Sequence, residues 1–280
     1  MKKISENNIK IIKEQHFNYC KDLVQVSNLS MEDKELLFIK NPFSKTFKVK
    51  KVYKQKFNNI DLREEYKNFR SNSNNWNGVK LLKLIGLDVC PYCGMNYIST
   101  ITKKNNRIIS EATFDHYLSQ SYYKMLTLNI YNLIPCCKNC NTTFKGRSLS
   151  KIVNPYFDSL EDNIKFQISK ENLLSNIYSN NLKIEIEIEN LSQNNTKRKI
   201  IDNHIETIVL KERYNYFQKI AKSIIKKKLY YNHSYIDELE CFDGLNLKKC
   251  DIEKMLICQD IYSENEPFLK FKTDIWEQLS

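Results

Sequence analysis

Glycine is scarce in this chain: five residues, Gly78, Gly86, Gly94, Gly146 and Gly244, with no two closer than eight positions. A dinucleotide fingerprint needs glycines about two apart, a phosphate-cradling loop about five apart and a nucleophile elbow about four apart. None of the three can be written with this spacing, so any nucleotide-driven work falls to a partner. Also missing is a run of roughly eighteen consecutive apolar residues that would span a bilayer. The opening Met1-Lys2-Lys3, followed by Ser-Glu-Asn-Asn, lacks the apolar core of a secretory signal. These absences predict a soluble, cytoplasmic protein with no membrane partner. Cysteines in that compartment stay reduced, so the nine present speak to metal rather than to disulfides.

The 280 residues carry 44 basic and 33 acidic side chains, for a net charge of +11. That length is ample to bury a core, and 12% aromatics argue against disorder. The charge is uneven: 18 basic against 10 acidic residues up to Asp88, 7 against 2 from Val89 to Ser150, and 19 against 21 thereafter. A basic first half favours a polyanion such as nucleic acid, although a lysine-rich solvated surface gives the same numbers.

Three regions emerge. Residues 1–78 mix helical stretches, best from Asn8 to Val24, with a strand predicted over Phe47 to Tyr53 and a polar loop from Arg70 to Gly78. Residues 79–150 begin with a short apolar helix, Val79 to Leu87, and hold the cysteine-rich segment. In residues 151–280, Lys183-Ile-Glu-Ile-Glu-Ile-Glu189 alternates with period two, so Ile184, Ile186 and Ile188 face a core while the glutamates face water. The remainder reads as helical, with one long helix predicted over Leu210 to Tyr231.

Cys90-Pro-Tyr-Cys93 and Cys137-Lys-Asn-Cys140 are two C-x-x-C pairs separated by 43 residues. A tight turn with two residues between cysteines points both thiolates at one cation, and two such turns complete a closed tetrahedral sulfur site for structural zinc. With all four positions taken by sulfur, that metal binds no water and is no catalyst. Four unrelated thiols, or a redox pair, are the other readings of these spacings. Cys136 reads as a spare small residue, and Cys20, Cys241, Cys250 and Cys258 as buried thiols without ligand spacing.

Between the pairs stand Ala112-Thr-Phe-Asp115-His116, Tyr131-Asn132-Leu-Ile-Pro135 and Cys140-Asn141-Thr-Thr-Phe-Lys145-Gly146. Neutral imidazole accepts a proton near neutral pH, and Asp115 and Asn141 offer hard oxygens of the kind Mg²⁺ takes. Neighbours on a strand point to opposite faces, so Asp115 and His116 must sit where a strand ends if they are to work together. In order and type these features resemble the HNH (ββα-metal) nuclease family, in the variant framed by two zinc-binding C-x-x-C pairs. The wording from about Leu87 to Phe166 resembles the HNH nuclease component of Septu-type bacterial antiphage systems, which accompanies an ATPase.

The resemblance implies an α+β fold whose ββα-metal core, a strand–loop–strand–helix unit over about Arg107 to Arg147, is flanked by a mixed N-terminal region and a mainly helical C-terminal one. It further implies a metal-dependent DNA endonuclease with His116 as general base and Asp115 and Asn141 on a catalytic Mg²⁺ or Mn²⁺. Cys90, Cys93, Cys137 and Cys140 would hold structural Zn²⁺. Asn132 would orient the loop and the His116 imidazole, and Lys145 would touch phosphate or close the helix. The products implied are 5′-phosphate and 3′-hydroxyl ends, and the partners implied are DNA and an ATPase. The chain departs from the family where it carries Ser119, Gln120 and Lys124 in place of the family's proline, lysine and Tyr-Pro. Two alternatives stand beside this reading: a non-catalytic zinc module that binds nucleic acid, and an effector that cleaves RNA or tRNA.

Overall fold

Periodic burial explains the first helices. A computed structural model describes residues 1–43, 49–71, 76–104, 108–169, 184–242, 248–258 and 265–279. Helix α1 (Glu6–Cys20) buries Ile9, Ile12, His16 and Cys20, which recur at helical spacing on one face. Helix α2 (Met31–Phe38) is capped by Ser30, whose Oγ accepts the Asp33 N–H. Helices α3 (Val49–Phe57) and α4 (Arg63–Ser71) follow. Helix α5 (Gly78–Ile85) starts on the Asn77 side-chain cap and ends at Gly86 in the left-handed conformation.

The strand predicted over Phe47–Tyr53 is not formed where it can be judged: Phe47 and Lys48 lie outside the described residues, and Val49 onward is helical. Tyr53 and Phe57, four apart, both bury against the core with their rings 5.7 Å apart. That helical pairing outweighs the local aromatic and β-branched bias. Of the predicted loop Arg70–Gly78, residues 72–75 lie outside the described set; Arg70 closes α4 and Gly78 opens α5.

The described strands form three antiparallel pairs: β1 (Thr100–Thr102) with β2 (Ile108–Ser110), β3 (Thr113–His116) with β4 (Leu133–Cys136), and β5 (Ile164–Ile168) with β6 (Ile186–Asn190). A lone hairpin is marginal in water, so each leans on neighbours. On the β5/β6 pair, side chains satisfy the outer edges: Asp274 Oδ2 accepts the Phe166 N–H, and Gln278 bonds both backbone groups of Ile168. Asn215 does the same for Ile186. Ile184 and Ile186 are buried and Glu185 and Glu189 exposed, as the alternation predicts, but Glu187 and Ile188 are both half-buried, and Lys183 lies outside the described residues.

The C-terminal stretch is helical: α6 (Asn195–Thr207), α7 (Leu210–Tyr216), α8 (Gln218–Tyr230), α9 (His233–Glu240), α10 (Lys249–Ile257) and α11 (Leu269–Gln278). The single helix predicted over Leu210–Tyr231 is in fact two, broken at Phe217, whose ring packs on Phe268 at 5.0 Å. Buried residues from all three regions join one hydrophobic cluster. Cys20 and Cys136 are buried, but Cys241 and Cys250 are exposed on helix termini and Cys258 is half-buried, which corrects the expectation of four buried thiols. Among the described residues no helix is long and apolar enough to cross a membrane. The protein is thus a mixed α+β chain with small sheets and a cluster of four cysteines.

Candidate functional site

Cys90 and Cys93 occupy a turn closed by the Gly94 N–H on the Cys90 carbonyl at 2.8 Å. Gly94 holds φ at 65°, and a Cβ there would meet Met1 Cγ at 3.0 Å and Tyr214 Oη at 3.2 Å, so glycine is required on both counts. Cys137 and Cys140 flank the entry to a π-helical turn, Asn139–Lys145, whose wide pitch is visible in the Gly146 N–H bonding the Asn141 carbonyl five residues back. The two turns bring all four sulfurs within 4.8 Å of one another in the interior. Zinc–sulfur bonds of about 2.3 Å in a tetrahedron place sulfurs about 3.8 Å apart, and Cys93 and Cys137 are at 4.0 Å. Four buried cysteines are therefore positioned to hold a metal ion, and an all-sulfur donor set suits structural zinc.

Hydrogen-bond donors point at these sulfurs, as thiolate ligands require. Asn96 Nδ2 reaches Cys137 Sγ at 3.4 Å, the Cys137 N–H reaches Cys90 Sγ at 3.3 Å, and Arg213 Nη1 reaches Cys140 Sγ at 3.5 Å. Arg213 also lies over the Phe144 ring at 4.2 Å. It is delivered by α7, whose entry residue Val209 takes the left-handed conformation at φ 54°, a costly position for a β-branched side chain. The next residue, Tyr214, donates its hydroxyl to the Cys93 carbonyl. His204 of α6 donates from Nε2 to the Tyr92 carbonyl while its Nδ1 accepts the Val153 N–H.

The β3/β4 hairpin and the π-helical turn surround the second group of residues. His116 ends β3, opposite Leu133. Its Nε2 lies 3.1 Å from the Thr127 carbonyl. A carbonyl only accepts, so Nε2 carries the proton and Nδ1 keeps the lone pair. Burial pushes the His116 pKa down to about 4; the Thr127 bond opposes this, and the charges of Lys145 and Arg70 reinforce it. The ring stands edge-on to Tyr66 at 4.5 Å.

Three consecutive carbonyls of the loop between the strands are each taken by a side chain. Leu126 accepts from Asn132, Thr127 from His116 and Leu128 from His16 of α1. Asn132, fully buried, also accepts the Leu118 N–H at 2.6 Å and donates to the Leu118 carbonyl. It thereby ties the two ends of the loop together and reaches His116 through the backbone from Leu126 to Thr127 rather than directly.

Asp115 points the other way. Its Oδ2 accepts the Tyr92 hydroxyl at 2.8 Å and its Oδ1 accepts Lys145 Nζ at 2.9 Å. Lys145 donates as well to the His116 carbonyl at 3.1 Å. Burial raises the Asp115 pKa, against the opposing pull of Lys145 and the Tyr92 hydroxyl. Asn141, four residues before Lys145, donates through Nδ2 to Thr113 Oγ1 and to the Phe114 carbonyl.

Asp115, His116, Asn132, Asn141 and Lys145 are thus gathered around one hairpin, with Asp115 and His116 engaging different partners. As arranged, Asp115 does not fit a divalent cation: each of its oxygens already accepts a bond, its side chain is only 3% exposed, and Lys145 supplies the compensating charge. Among the described residues, the four cysteines are the group of His, Cys, Asp or Glu side chains that converges as metal ligands do. Tyr92, Tyr66, Thr127, Asn96 and Arg213 were not signalled by spacing. Only Tyr92 carried a hint, by standing inside the first C-x-x-C pair. Comparison with family models, with curated proteins and with solved structures returns no match.

Proposed function

We propose that this protein is an endonuclease of the HNH type, hydrolysing phosphodiester bonds of DNA in bacterial antiphage defence. The observation that carries the reading is the state of His116. Its imidazole is neutral, its Nε2–H is fixed on the Thr127 carbonyl, and its basic Nδ1 is held at the end of a hairpin braced by a cysteine site. The order of the motifs supports it. Nδ1 takes a proton from water as the water oxygen bonds phosphorus; the bond from phosphorus to the 3′ oxygen breaks, and that oxygen is protonated from solvent. A phosphodiester anion beside the ring favours the imidazolium and raises its pKa from the low resting value. A positioned base of this kind contributes roughly 10²- to 10⁴-fold. Asn132 and the Lys145–Asp115 pair are positioning groups. No step runs through a divalent cation, because Asp115 holds Lys145; the Mg²⁺ or Mn²⁺ that the resemblance implies would have to displace that ammonium.

The test is cleavage of plasmid DNA, with an RNA substrate in parallel, with and without Mg²⁺ or Mn²⁺. The reading expects wild-type protein to cleave and His116→Ala to lose at least 10²-fold; equal activity would refute the role of His116. The closed Asp115–Lys145 pair favours a second reading, a non-catalytic zinc module that binds nucleic acid. It expects salt-sensitive binding with no cleavage under any metal. An ATPase partner belongs to the first reading and would be sought by co-purification.

A further inference from the structure

We propose that the open groove between α1 and the rings of Tyr131 and Phe157 binds single-stranded nucleic acid, with an unpaired base on the exposed Phe157 ring and phosphates on the α1 lysines. The groove encloses about 400 Å³. Its floor is the ring of Phe157, 38% exposed, backed by the buried ring of Tyr131, 5.3 Å away and inclined by 22°. Its wall is one face of α1, where Glu6, Lys10 and Lys13 recur at helical spacing. Lys13 Nζ sits over the Tyr131 ring at 5.4 Å, and Glu6 is paired with Lys3 at 3.1 Å; among the described residues no carboxylate pairs with Lys10 or Lys13, which leaves both as positive charge within the groove.

Rings flanked by lysines suit a single strand better than a duplex. A duplex keeps its base faces stacked inside and offers only phosphate, whereas every unpaired base presents a π-face to an aromatic floor. The groove also adjoins the His116 loop. Tyr131 immediately precedes Asn132, and Phe157 connects through Phe43, at 5.9 Å, to Tyr117, 5.0 Å further on and next in sequence to His116. As a guide for substrate toward His116 the groove rests on the nuclease reading; as a binding site it stands or falls alone.

The experiment is fluorescence anisotropy with labelled oligo-dT, oligo-rU and a blunt duplex of equal length, using the full chain without added divalent cation over a salt series. Single strands should bind more tightly than the duplex, and the dT and rU arms decide between DNA and RNA. Phe157→Ala should weaken single-strand binding roughly 5- to 150-fold, while Phe157→Trp retains it. Lys10→Gln with Lys13→Gln should lower the salt slope by about 1.4. Unchanged far-ultraviolet dichroism verifies that these surface variants fold. Binding indifferent to Phe157, preference for the duplex, or equal displacement by inorganic polyphosphate or an acidic peptide would overturn the proposal. Single-strand binding that depends on Phe157, alongside no plasmid cleavage by the wild type with or without Mg²⁺ or Mn²⁺, would uphold the groove and sink the nuclease reading; cleavage with Phe157-independent binding would do the reverse.

Discussion

Lys145 Nζ stands 2.9 Å from Asp115 Oδ1, and both side chains are sealed from water at 2% and 3% exposure. The pair joins the π-helical turn to the end of β3, and the same ammonium bonds the His116 carbonyl, so one cation fixes the backbone from which the imidazole projects. Asn141 repeats the clamp one turn earlier on Thr113 and Phe114. A buried ion pair gains little over an apolar pair of equal volume, but losing one partner strands the other charge.

That asymmetry gives a double-mutant cycle. Lys145→Met leaves the Asp115 carboxylate buried with only the Tyr92 hydroxyl and should cost about 3–5 kcal/mol in urea unfolding. Asp115→Leu alone should cost a similar amount by stranding the ammonium. The double variant should recover most of the loss, and additive single losses would show that the two charges do not depend on each other.

Asn132 should behave as a positioning residue. Asn132→Ala removes the partners of the Leu118 N–H, the Leu118 carbonyl and the Leu126 carbonyl, all within the fold. Unsatisfied buried groups cost about 1–3 kcal/mol each, partly relieved by water entering the cavity, so a loss of about 2–4 kcal/mol is expected. The readout that separates positioning from bulk stability is the His116 ring: its proton resonances and titration should shift in folded Asn132→Ala, because the Leu126 carbonyl, one residue before the Thr127 carbonyl that His116 bonds, is no longer held. An unmoved His116 signal would detach Asn132 from the site.

What the sequence made legible was whatever chemistry is written locally. Two C-x-x-C turns read as a convergent set because each knuckle is a self-contained turn, and the Ile–Glu alternation read as a half-buried strand because period two needs no tertiary knowledge. What it hid depends on distant partners. Lys145 was open to a phosphate role until its contact 30 residues back with Asp115 gave it a structural one. Arg213 reaches Cys140 across 73 residues, and Thr127 acts through a carbonyl, which no side-chain identity reveals. The strand expected over Phe47–Tyr53 rests on local aromatic and β-branched residues, whereas packing of Tyr53 and Phe57 on the core selects the helical period over Val49–Phe57.

Metal content tests the cysteine site directly. Purified protein should carry about one zinc per chain by elemental analysis, and a strong chelator should cause cooperative unfolding, since structural zinc contributes roughly 10–16 kcal/mol in small peptides. Cys137→Ser should abolish stable zinc, whereas Cys136→Ser, beside it but outside the set of converging sulfurs, should retain it. Zinc retained by Cys137→Ser would remove that residue from the site.

Stability should fall as pH drops below the ordinary histidine range, and His16 accounts for part of the fall. Trp76 Nε1 donates to His16 Nδ1 at 3.2 Å and His16 Nε2 donates to the Leu128 carbonyl, so both ring nitrogens are committed in the neutral form. Burial holds its pKa down to about 4, against a mild opposing effect of the Leu128 bond. Because the folded pKa is depressed, the unfolded chain binds the proton first. The stabilisation is whole above about pH 6.5 and drains away as pH falls toward 4. At pH 5 the loss from His16 alone should be about 2 kcal/mol relative to pH 7. His116 and His204, also lowered to about 4 by burial, act in the same direction. His16→Gln retains an acceptor for Trp76 and a donor for Leu128 but cannot titrate. Urea midpoints at pH 5 and pH 7 should therefore differ less in that variant, by roughly a third of the wild-type difference. An unchanged difference would mean that His16 takes up its proton in the folded state at the same pH as in the unfolded chain.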